Sequence, residues 1–169
     1  VLAKKPERIG DIKKQAIEAN QGEISRHLQN TRLASSLSDE PHYAPDYPLL
    51  PVRRRFWEKV LRNVDASGTT AQLRTQLKIV YDAARDTADR DLGNVVPADF
   101  IYNEIATDLL NTGMLQREYH EAIAELADKT REGQLKSRLC ALIFLISKLP
   151  RDVGADDGVK ATAETLEDL

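Results

Sequence analysis

Four apolar side chains, Trp57, Val60, Leu61 and Val64, stand at i, i+3, i+4 and i+7 shortly after Pro51. An α-helix turns once in about 3.6 residues, so that spacing gathers all four on one face. The same period recurs along the chain. Leu73, Leu77, Val80, Ala84 and Ala88 predict a second face, and Phe100, Ile101, Ile105 and Leu109 a third. Residues 115–128 repeat the pattern with Ala122, Ile123 and Leu126. Residues 133–149 are apolar nearly all round, which predicts a central helix ending at Pro150. No stretch alternates in strand register and no Asn-Gly hairpin turn occurs; "LGNVVP" alone suits one short strand. The pattern predicts an all-α fold of seven or eight helices.

Breakers and caps divide the chain. Asn20 with Glu23, and Thr69 with Gln72, have the spacing of capping boxes. Ile9, Ile12, Ala16 and Ile17 give a weaker stripe upstream, and Ile24 and Leu28 share a face after Asn20. Residues 33–51 hold Ser35, Ser36, Ser38, Pro41, Pro45, Pro48 and Pro51, the composition of a connector. Pro97 suits a helix start, Gly113 a helix stop and Thr162 an N-cap. The expected division is N-terminal helices and connector over 1–51, a helix pair over 52–92, and a C-terminal helical region over 93–169.

Charge and cysteine content exclude several functions. Lys and Arg total 24 against 27 Asp and Glu, a net charge of −3, so no global basic field attracts nucleic acid. Cys140 is alone and lies in the apolar run "LCALIFLI", the setting of a buried thiol. That run is far shorter than the roughly 20 residues that cross a bilayer. The chain reads as cytoplasmic, with no membrane partner. It starts at Val1, and "TAETLEDL" stops inside a growing helix, so a piece of a larger chain is expected.

Catalytic signatures are missing. Neither GxxxxGK[ST] nor GxGxxG occurs, and His27, His42 and His120 lack the spacing of a metal site. Glu118, Glu121 and Glu125 run along a helix beside His120, which reads as a solvated stripe. Arg85 with Asp89 and Asp86 with Arg90 are spaced as i, i+4 ion pairs. No catalytic residue, metal site or cofactor site is expected within this chain.

The basic residues are the candidates for function. Arg55, Lys59 and Arg62 fall at i, i+4 and i+7, a cationic stripe beside the Trp57 face. Arg53 and Arg54 lie in the first turn of that helix, where the dipole disfavours cations by about 0.3–1 kcal/mol. Arg53, Arg54, Lys59 and Arg62 therefore form a candidate patch for an anion or a partner; the alternative is a solvated helix face. Arg74 and Lys78 stand at i, i+4 on the next helix, placed to reach across an interface.

Three segments carry a resemblance: "DYPLLPVRRRFWEKVLRNVDASGTTAQLRTQLKIV", "VVPADFIYNEIATDLLNTGMLQRE" and "GQLKSRLCALIFLISKLPR". In combination they resemble the P-loop ATPase of BREX phage-resistance systems, the BrxC or PglY family, and the likeness extends over nearly the whole chain. Members are large bacterial AAA+-like ATPases that use ATP and Mg. The resemblance implies a segment downstream of the nucleotide-binding core, made of a lid-like helix pair and an adjoining helical region. It implies a sensor-like, nucleotide-proximal role for Arg74, with Lys78 and Arg55 behind it. The implied partners are the rest of the ATPase chain, other BREX proteins, and DNA through the parent. The Walker motifs are not in this sequence, so hydrolysis by it alone is not expected. Two rival readings remain: residues 133–169 as the start of a nucleic-acid-binding winged helix, and a helical scaffold for protein contacts.

Overall fold

A computed structural model of the chain describes residues 4–65 and 73–169, with the backbone alone at residue 65 and at 73–75. All regular structure among the described residues is helical. Short helix α1 (Pro6–Asp11) runs directly into a π-helix (Ile12–Ile17), a 3-10 turn (Glu18–Asn20) and α2 (Gln21–Ile24). A second 3-10 turn (Leu37–Asp39) leads into α3 (Glu40–Asp46). The longer helices follow: α4 (Pro51–Asp65), α5 (Leu73–Thr87), α6 (Phe100–Asn111), α7 (Arg117–Leu126) and α8 (Arg131–Ser147), then short α9 (Ala163–Asp168). None of the described helices is long and apolar enough to cross a membrane.

Helix α4 is the centre of the main core. Val52, Phe56, Trp57, Val60, Leu61 and Val64 are all buried, as the spacing of the last four predicts. Trp57 stacks on Phe100 at 6.1 Å and donates its indole Nε1–H to the Ala98 carbonyl at 2.8 Å. A buried tryptophan needs such a partner for its polar edge. Around α4 pack Ile101, Ile105 and Leu109 of α6 and Ala141, Leu142, Leu145 and Ile146 of α8. Leu28, Leu33 and Leu49 join the same cluster from the N-terminal part. A smaller cluster holds Ile12, Ala16, Ile17, Ile24, Tyr43, Tyr47 and Leu50 beneath the N-terminal helices.

Several local expectations change. The Asn20–Glu23 capping box does not form, because the Asn20 amide instead donates to the Ala16 carbonyl at 2.9 Å at the end of the π-helix. Ile24 and Leu28 do not share a helix face: α2 stops at Ile24 and Leu28 takes a positive φ of 53°. Helix α5 buries Ile79, Ala83 and Thr87, while Leu77 is half exposed, so its inward face lies beside the one that the spacing predicts. Helix α7 has no buried residue. It rides on the outside of α8, whose own outer face leaves Leu135 and Ile143 exposed. The Thr69–Gln72 box lies outside the described residues.

Expected ends that hold are Gly113, at φ 71° after the last turn of α6, and Thr162, whose hydroxyl accepts from the Thr165 amide. Arg90 pairs with Asp86 at 2.9 Å as the spacing predicts, whereas Arg85 turns to Asp82 at 3.5 Å.

The tightest junction joins α7 to α8. The Asp128 carboxylate accepts from the Thr130 amide and hydroxyl, and the Thr130 hydroxyl in turn accepts from the Gly133 amide at 3.0 Å. A Cβ on Gly133 would meet Asp128 Oδ1 at 2.1 Å and the Leu126 carbonyl at 2.7 Å. Helix propensity alone makes Gly133→Ala stabilising by about 1 kcal/mol. The clash with backbone reverses that sign, and urea denaturation should show Gly133→Ala destabilised by roughly 1–3 kcal/mol. A gain in stability would show that this turn yields without cost.

Candidate functional site

The arginine triplet begins α4, and the fold sends its three guanidiniums in three directions. Arg53 points inward and is only 9% exposed. Its Nη1 donates to the Val96 carbonyl at 2.8 Å and its Nη2 to the Asp168 carbonyl at 3.2 Å. Burial pushes its pKa down to about 10, against the opposing pull of Asp99, so it remains a cation near neutrality. Arg54 reaches back to Asp46 at the end of α3, at 2.7 Å. Arg55 forks onto both oxygens of Asp39, at 3.0 Å for Oδ2, and also donates to the Leu33 and Ala34 carbonyls.

The Asp39 carboxylate is made for this fork. It also accepts from the Ser36 amide at 3.0 Å, closing a capping box around the turn before α3. Burial raises its pKa, but hydrogen bonds from Arg55 and Ser36 outweigh burial and hold it below the usual carboxylate value. The reading of Arg53 and Arg54 as a wet first turn is thus replaced by one buried bridge and one carboxylate pair. Their partners come from the connector, from the loop before α6 and from the last described residues.

Further along α4, Lys59 and Arg62 face the loop after α8. The Lys59 ammonium pairs with Asp157 at 3.1 Å, and Asp157 is buried. Arg62 is exposed. With Arg32, Arg55, Pro150, Gly154 and Asp157 they line a cleft of about 660 Å³. So Arg55, Lys59 and Arg62 share one cleft, while Arg53 lies buried apart from it.

Lys78 stands on α5 and bridges to Asp82 at 2.8 Å and to Glu104 of α6 at 3.3 Å. Those hydrogen bonds hold its ammonium above the usual lysine value. It ties α5 to α6. Arg74 is in the first turn of α5, and its side chain lies outside the described residues. Among the described residues no group of three or more His, Cys, Asp or Glu could hold a metal ion. His120 is engaged by the Tyr102 hydroxyl at 3.0 Å, and Cys140 is part-exposed beside α7.

Sequence spacing misses the acids that receive these cations: Asp39, Asp46 and Asp157. Each sits beside turn-forming residues, in "SDEP", "APDYP" and "GADDG", which is the signal that such a carboxylate is available for capping or bridging. Compared with known proteins, the chain matches no family model, no curated protein and no solved structure.

Arg53→Ala should destabilise by roughly 2–4 kcal/mol in denaturant titration. That is the scale of two charge-assisted bonds, offset by no longer burying a guanidinium. Arg53→Lys should not restore the loss, since an ammonium cannot fork to two carbonyls. The Asp39 ion pair carries a pH signature with a definite sign. Because its folded pKa is depressed, its contribution is full above the ordinary value of 3.8 and is lost as pH falls through the folded value. Melting curves from about pH 5 downward should therefore fall less steeply for Asp39→Asn than for the unaltered chain. Parallel acid limbs would remove Asp39 from that role.

Proposed function

We propose that the chain is a non-catalytic helical segment of a large bacterial P-loop, AAA+-like ATPase of a BREX anti-phage defence system. It works in the cytoplasm, where it couples nucleotide state in the parent chain to engagement of partner proteins or DNA. ATP and Mg are bound by the parent core, which carries the phosphate loop that this sequence lacks. The observation that carries the reading is the combined resemblance of the three quoted segments. Support comes from their packing: Trp57 and Leu61 of the first, Ile101 and Ile105 of the second, and Leu142 and Leu145 of the third share one core. Segments that resemble one family together also fold together, as pieces of one mechanical unit would.

In this reading α4 and α5 are the lid-like pair, and Arg74, in the first turn of α5, is the sensor that approaches the γ-phosphate. A guanidinium placed there stabilises charge developing in the transition state and registers its loss after hydrolysis. Lys78, tied to Glu104, transmits the position of α5 to α6. A second reading, a helical scaffold for protein contacts, draws on the exposed apolar seam of Tyr119 and Ile143 between α7 and α8.

Steady-state ATP turnover of the complete chain tests the first reading. Arg74→Ala should lower turnover by roughly 10-fold or more, since one charge-assisted contact is worth about 1.5–3 kcal/mol. Lys129→Ala, in the exposed turn between α7 and α8, serves as control and should leave turnover unchanged. Equal turnover in both variants removes Arg74 from the nucleotide site.

A further inference from the structure

The cleft between α4 and the loop after α8 is cationic beyond what its own acids neutralise. Arg55 is matched by Asp39, and Lys59 by Asp157. Glu58, the other acid of the lining, stands 3.7 Å from Arg54, which Asp46 already holds at 2.7 Å, and forms no ion pair with Arg32 or Arg62. Two guanidiniums are left over. Arg32 donates its Nη1 to the Gly154 carbonyl and meets no carboxylate within ion-pair distance among the described residues. Arg62, on the facing helix, likewise has none.

Their mountings are firm although their ends are exposed. The Arg32 amide donates to the Asp157 carbonyl at 2.9 Å, which fixes the Arg32 backbone to the wall of the cleft. Arg62 stands in the last turn of α4, whose opposite face is core, so its backbone cannot drift. The second oxygen of Asp157 is buried and has no hydrogen-bond partner among the described residues, so this carboxylate depends on Lys59 for its compensation. Lys59 is thus spent on that carboxylate, and the cations left free in the cleft are Arg32 and Arg62.

We propose that this cleft binds a phosphate ester, with Arg32 and Arg62 gripping phosphate oxygens from opposite sides. Guanidiniums match phosphate by paired, charge-assisted hydrogen bonds. The volume of about 660 Å³ lies within the roughly 300–1,000 Å³ of small-ligand sites, enough for a nucleotide-sized group. Two unmatched charges suit one or two phosphates, whereas the net charge of −3 for the chain does not favour the long contact of a duplex. The phosphate belongs either to a free nucleotide or to a nucleic-acid strand. The inference rests on Arg32 and Arg62 and stands whether or not the parent is an ATPase.

Calorimetry on the 169-residue chain at low salt, with pyrophosphate and with ATP, tests the first source. Fluorescence anisotropy with a short labelled single strand of DNA tests the second. At least one probe should bind. Arg62→Glu, and separately Arg32→Glu, should weaken that binding by about 10-fold or more. Lys129→Glu should change it by less than about 2-fold, the cost of one distant, screened charge. Binding of pyrophosphate and ATP alone assigns a free phosphate, and binding of the strand alone assigns a nucleic-acid backbone; either outcome upholds the site. Because the Arg62 side chain has no hydrogen bond or ion pair among the described residues, Arg62→Glu decides even if Arg32→Glu lowers the melting temperature. No binding by any probe, or binding that survives Arg62→Glu, overturns the proposal.

Discussion

The buried Arg53 guanidinium is the interaction on which the arrangement of the chain depends. It lies under the first turn of α4 and joins the Val96 carbonyl to the Asp168 carbonyl. The Val96 carbonyl lies in the loop before α6 and the Asp168 carbonyl at the last turn of α9, so neither accepts an intrahelical bond, and buried groups of that kind must find other partners. The same junction draws in the Leu28 amide, which donates to the Asp168 carboxylate at 2.7 Å, and the Ala98 amide, which donates to the Leu169 carbonyl at 2.8 Å. Trp57 completes it from the same helix by its bond to the Ala98 carbonyl. Three separate stretches thus close around one end of α4, and the apolar faces of α6 and α8 pack against a helix whose position is already set.

Helix faces were legible where a helix is wrapped on one side by many neighbours. Trp57, Val60, Leu61 and Val64 are buried because α4 meets α6, α8 and the N-terminal loop, so every apolar position at the right spacing finds a partner. On α5 and α7 the period alone misleads. Each meets essentially one neighbour, so only part of an apolar stripe goes inward: Ile79 and Ala83 are covered, but Leu77 and Tyr81 are left outside. The π-helix at Ile12–Ile17 left no mark that spacing could reveal, since its wider turn replaces the capping geometry that Asn20 and Glu23 suggest.

The cations were legible as a cluster but not as individuals. Spacing puts Arg55, Lys59 and Arg62 on one stripe, and they do line one cleft. Spacing could not show that Asp39 takes Arg55 or that Asp157 takes Lys59, because those acids lie in turns with no period to follow. What separates a structural cation from an available one is the carboxylate that arrives from elsewhere in the chain. By that measure Arg54 and Arg55 serve mainly the fold, as Arg53 does through two buried carbonyls, and the exposed cations left without a carboxylate are Arg62 and, across the cleft, Arg32.

The junction at Asp168 and Leu169 also bears on how the chain comes off a ribosome. Leu28 and Arg53 find their partners 140 and 115 residues further on, among the last to be made of those described. Until then α4 emerges as an amphipathic helix with an oily face and a guanidinium that lacks its carbonyls. Contacts of such long sequence separation form late, because loop closure must be met before they contribute. The N-terminal part therefore consolidates only once the residues near Asp168 have been made and can close on it.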